Sequence, residues 1–172
     1  MKKVLFAIPL ALALTGCGSD IDLVKGGVME FNQTTTLGKA LDNWESCESR
    51  EWEEFETDNG IKVVQFTCQH KISQYMSKAK SLLSEEKQAK AKHLDIASNI
   101  QTFQFTINQG DTFQIDNVQV KTTWQDGTSF EDSQKPVEQL ETAYANNLNF
   151  DPAELNEMGA AQISYVFSMI KM

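Results

Sequence analysis

Between Thr102 and Trp124 the chain alternates apolar and polar residues. Phe103, Phe105 and Ile107 stand against Thr102, Gln104 and Thr106; after a turn at Asn108 to Asp111, Phe113 and Ile115 and then Val118, Val120, Thr122 and Trp124 carry the pattern to Asp126-Gly127. Successive side chains of a strand point to opposite faces, so a period of two predicts half-buried strands with one face that must be covered. A second hairpin is predicted from Trp52 to Thr57, the turn Asp58-Asn59-Gly60, and Ile61 to His70. Asn-Gly supplies the positive φ that such turns need. Three segments carry helical spacing. Thr34 to Thr36 offer a cap for Leu37, Ala40, Leu41 and Trp44; Tyr75 to His93 places Tyr75, Ala79, Leu82, Leu83 and Ala89 on one stripe; Pro136 to Asn147 does so with Val137, Leu140 and Tyr144. The tail from Gln162 to Ile170 alternates Ile163, Tyr165, Phe167 and Met169 and reads as a strand, with a helix as the competing reading. Strands joined by tight turns and interspersed with helices predict a single α+β domain, an antiparallel sheet with helices packed on one face.

With 172 residues, 41% of them apolar, and 9 Gly and 3 Pro, the chain can build one core; collagen-like, wholly disordered and multi-domain organisations are not expected. Its 15 Lys+Arg against 24 Asp+Glu give a net charge of -9, the wrong sign for a nucleic-acid binder. The charge is segregated. Glu45 to Asp58 holds seven acids against Arg50, whereas Lys71 to Lys92 holds six lysines against Glu85 and Glu86. Two solvated faces that partly offset each other explain this. A sharper expectation is that Glu51, Trp52, Glu53, Glu54 and Phe55 dock onto a basic envelope protein, with acids steering the encounter and aromatics anchoring it.

At the N-terminus Lys2 and Lys3 precede an apolar run from Val4 to Leu14. Eleven helical residues cover roughly 16 Å, about half a bilayer core, so residues 1–16 read as a cleaved signal peptide. The tetrapeptide that follows, Leu14-Thr15-Gly16-Cys17, resembles the lipobox of bacterial lipoproteins. The resemblance implies cleavage between Gly16 and Cys17, a diacylglyceryl thioether on Cys17, acylation of the new amino group, and a membrane as partner through that lipid. In such lipoproteins an Asp after the Cys favours retention at the inner membrane. Gly18 stands there instead, which implies the outer membrane, with the domain facing the periplasm. Cleavage removes Lys2 and Lys3 and no acid, so 13 basic side chains face 24 acidic ones, a net charge of -11. Residues 17–33 are expected to form the lipidated Cys and a flexible tether, and residues 34–172 the globular domain. The segment from Thr36 to Cys68 is similar to the opening of small uncharacterised lipoproteins of Gram-negative bacteria, a resemblance that implies no activity.

Cys47 and Cys68 are an even pair in an exported domain and are expected to form a disulfide that closes a loop and pins the first helix to the hairpin. His70 and His93, the two histidines, lack the spacing of a metal site and read as surface or capping residues, so no metal or cofactor is expected. Gly-x-Ser-x-Gly and phosphate-loop patterns are missing. The expectation is a lipid-anchored, non-catalytic protein-interaction module of the cell envelope. The alternative is an exclusion, immunity or inhibitor lipoprotein that binds a basic partner, and a carboxylate-dependent envelope hydrolase comes third.

Overall fold

A computed structural model describes residues 19–171; the signal peptide at 1–16 and Cys17 lie outside the described residues. In chain order the elements are α1 (Asp20–Gly26), β1 (Val28–Met29), β2 (Asn32–Thr36), α2 (Leu37–Asp42), β3 (Cys47–Glu56), β4 (Lys62–His70), α3 (Ser73–Ser81) and α4 (Glu85–Lys90). A 3-10 turn at Lys92–Leu94 leads to β5 (Ile96–Asn108), β6 (Thr112–Trp124), β7 (Ser129–Gln134), α5 (Pro136–Tyr144) and α6 (Glu157–Ile170). Strands β3 to β7 form one antiparallel sheet in sequence order. The fold is the α+β single domain that the alternation requires.

The period of two decides which residues face the helices. On β4, Val64, Phe66, Cys68 and His70 are buried, and on β5 Phe103 and Phe105 join them. One apolar cluster combines these rings with Val24 of α1, Leu37 and Leu41 of α2, and Leu140 and Ala143 of α5. A second cluster gathers Ile96 and Trp124, at the other end of β5 and β6, with Met76 and Ala79 of α3 and Ala160 and Phe167 of α6. The opposite sheet face is open and polar: Glu53, Gln65, Gln104 and Asn117 form a hydrogen-bonded ladder across four strands. Gly60 takes φ +76° in the β3–β4 turn, as Asn-Gly predicts.

Several expectations are corrected. The stretch from Ser19 onward is no tether. Ser19 and Asp22 form a capping box on α1, Val24 is fully buried, and Leu37 N donates to the Gly27 carbonyl at 2.8 Å. A Cβ on Gly38 would lie 2.9 Å from the Lys25 carbonyl oxygen, so α1 and α2 pack backbone to backbone. The tail is a helix, not a strand. Asn156 caps it by accepting from Gly159 N at 2.9 Å, and its inward residues Ala160, Ile163, Phe167 and Ile170 recur every three or four positions. The expected helix from Tyr75 to His93 is broken into α3, α4 and the 3-10 turn, because Leu83 turns into the core and Ser84 restarts the chain in extended conformation. Cys47 opens β3 instead of closing a helix, so its bond to Cys68 joins the two strands of the first hairpin.

Candidate functional site

Along the covered face of the sheet the side chains fall into three zones. The first apolar cluster fills one end and the second fills the other. Between them, His70 of β4, Asn99 and Gln101 of β5 and Thr122 of β6 are buried side by side, with Ser46 above them. The register explains the grouping: Cys68 pairs with Gln101 and Asn99 with Thr122, so the polar residues occupy neighbouring inward positions. Burying polar groups costs free energy unless each finds partners, and a patch that breaks an otherwise apolar layer marks a candidate site.

Most partners are present. The Ser46 hydroxyl lies 2.9 Å from His70 Nδ1, His70 Nε2 lies 2.8 Å from Gln101 Oε1, and Gln101 Nε2 donates to Gln139 Oε1 at 2.9 Å. Gln101 turns its carbonyl to the ring, so Nε2 carries the proton and Nδ1 accepts from Ser46. Burial is the main force on the imidazole and pushes its pKa below 6.5, with the bonds to Gln101 and Ser46 opposing it. A Ser–His contact is half of a nucleophilic catalytic array. Here, however, the third member, Gln101, carries no charge to stabilise an imidazolium, and Ser46 Oγ already accepts from Asn149 N at 3.2 Å.

Above this floor a cleft of about 370 Å³ opens toward the β7 edge. Gln139 and Thr142 of α5 form one wall, Asn149, Phe150 and Phe167 the other, and Phe130, Asp132 and Gln134 of β7 the rim. Among the described residues Asp132 is the single carboxylate lining it, held by Gln134 Nε2 at 2.7 Å. Asn99 Nδ2 donates to Thr122 Oγ1 at 2.9 Å, but Asn99 Oδ1 is buried with no partner among the described residues. No group of three His, Cys, Asp or Glu among the described residues could hold a metal.

A second feature sits on α6. This helix carries a single charged residue, Glu157, and is apolar on both sides. Its inner residues fill the second cluster, while Met158, Tyr165, Val166 and Met169 are exposed, Met158 at 81% and Tyr165 at 65%. Large apolar side chains exposed in helical register mark a surface that a partner can cover.

The acidic strand is divided by its own period. Trp52 faces the core, tilted against Phe66 with ring centroids 4.9 Å apart, and its Nε1 donates to Asp42 Oδ1 at 2.7 Å. Glu54 faces the same way and accepts from Ile21 N at 3.1 Å. Glu51, Glu53 and Phe55 alternate onto the open face, Phe55 at 40% exposure. The basic segment keeps its ion pairs local, Lys80 to Asp95 and Lys90 to Glu86, and among the described residues none reaches the acidic strand. Cys47 and Cys68 are bonded at 2.04 Å. The sequence reading missed Ser46, Asn99, Gln101 and Asn149 as site residues and placed His70 at the surface, where the structure buries it to 2% exposure.

Residues 1–17 match the model of the prokaryotic membrane lipoprotein lipid attachment site, ending on Cys17. No curated protein and no solved structure matches the chain.

Proposed function

From a lipoprotein held to a membrane by its N-terminal lipid, we propose a non-catalytic interaction module of the cell envelope, anchored in the outer membrane and facing the periplasm, that works through protein contacts. The exposed apolar stripe of α6 carries this reading. Methionine and tyrosine are enriched at the centres of protein interfaces, and a contiguous apolar strip on a soluble face marks a docking site. Its position favours a protein over the anchoring bilayer. α1 begins three residues after Cys17, and Lys62 binds Asp20 at 2.9 Å, so the lipid end of the molecule is the end where the β3–β4 turn lies. α6 packs at the other end of β5, whose 13 residues span about 40 Å.

For the non-catalytic part of this reading we draw on the neutral surroundings of His70, whose ring nitrogens meet Ser46 and Gln101. Gly18 in place of an aspartate supports the outer membrane. A second reading, an exclusion, immunity or inhibitor lipoprotein that binds a basic partner, draws on Glu51, Glu53 and Phe55 on the open face of an edge strand. Crosslinking in intact cells followed by purification tests the first reading. A protein captured by the natural chain should be lost when Tyr165→Lys and Met169→Lys are combined, and kept when Glu51→Lys and Glu53→Lys are combined. The reverse pattern refutes the α6 reading in favour of the second.

A further inference from the structure

We propose that the cleft between the two helical clusters binds a neutral carbohydrate, taking a pair of vicinal hydroxyls on Asn99 and Thr122. This goes beyond the role of α6 and uses different residues. Two observations carry it: Asn99 and Thr122 line the cleft floor, with the Asn99 carbonyl oxygen buried and without a partner among the described residues, and the surrounding walls have a matching chemistry.

Asn99 and Thr122 are bonded to each other, which leaves each with hydrogen-bonding capacity to spare. With Nδ2 donating to Oγ1, the pair offers a carbonyl acceptor and a hydroxyl donor. If the amide is turned over, the hydroxyl donates to the carbonyl, and the pair offers an N–H donor and a hydroxyl lone pair. In both orientations it presents one donor beside one acceptor. Vicinal hydroxyls are the matching group, because each donates and accepts and their spacing fits two adjacent protein atoms.

The walls select the rest of the ligand. Side-chain amides from Gln139 and Asn149 are neutral and bifunctional, and Phe130, Phe150 and Phe167 add aromatic surface that suits the C–H side of a sugar ring. With Asp132 the one carboxylate and no lysine or arginine lining it among the described residues, anionic ligands gain no counter-charge. A volume of about 370 Å³ is at the small end of ligand sites, suited to one or two sugar rings.

A monosaccharide in such a site should bind with a dissociation constant on the order of 1 mM. Saturation-transfer NMR on the mature, lipid-bearing protein in phosphatidylcholine nanodiscs tests this, with methyl α-D-glucopyranoside as the probe. The expected result is transfer to the sugar C–H protons, none to the fully O-methylated sugar, binding kept in Thr122→Ser, and binding weakened about tenfold in Thr122→Val. An N-acetylglucosamine trimer separates the sources: tighter binding than the monomer points to a glycan chain, equal binding to a free sugar, and either supports the site. Thermal melting with the disulfide intact establishes that both Thr122 variants are folded. Failure of all sugars to bind, equal binding of the O-methylated sugar, or unchanged affinity in folded Thr122→Val would overturn the proposal. None of these results bears on the α6 partner.

Discussion

Acidification should weaken this fold through His70 more than through its exposed groups. The imidazole is 2% exposed and receives or gives hydrogen bonds to Ser46 and Gln101, both neutral. Burial holds its pKa below the ordinary 6.5, so below that pH the unfolded chain binds a proton that the folded chain refuses. The contribution is therefore complete above 6.5 and is lost as the pH falls below it. Moving from about pH 7.5 to about pH 5.5 removes at most about 1.4 kcal/mol, the limit reached when the folded ring stays neutral throughout. Urea unfolding of the oxidised protein at both pH values measures it, with His70→Gln as the reference. The variant should be less stable at neutral pH, and the gap between the two proteins should narrow on acidification, by no more than about 1.4 kcal/mol. Every other ionisable group is common to the two proteins and cancels. Curves that stay parallel between the two pH values would refute the idea that the folded state holds a neutral, desolvated ring.

Other perturbations have magnitudes set by the fold. Replacing both Cys47 and Cys68 by Ala opens a loop of sequence separation 21 and should lower stability by about 3 kcal/mol in chemical denaturation. Phe103→Ala empties a fully buried position in the first cluster and should cost about 3 to 5 kcal/mol by the same measurement. Asn156→Ala removes the cap of α6 and should cost about 1 kcal/mol. A fluorophore on Asn59 should be quenched by nitroxide-bearing lipids far more than one on Met158, because Ser19 lies within about 7 Å of chain from the lipid-bearing residue; equal quenching would contradict the orientation.

The sheet and its hairpins were legible because alternation and Asn-Gly are local signals. β7 was not: Ser129 to Gln134 is an edge strand without an apolar row, so the sequence offers no period to read. α6 was misread because Ile163, Tyr165, Phe167 and Met169 alternate within a segment that also satisfies a helical period, and its outer apolar face supplied the false half of the pattern. α1 was hidden by its shortness and by flanking glycines; its capping box of Ser19 and Asp22 was the available signal. The cleft floor did leave a trace. Asn99, Gln101 and His70 stand at positions in phase with Phe103, Phe105, Phe66 and Val64, where an uninterrupted core would be apolar. What joins them is pairing between distant strands, which composition and spacing do not show.

A photo-crosslinking scan along α6 in living cells tests the proposed role most directly. Outward positions 158, 165 and 169 should form an adduct with one protein species, while the inward positions 163 and 167 and the turn position 59 do not. Adducts that lack this helical spacing, or their absence from a correctly anchored chain, would contradict a role for that face in holding a partner.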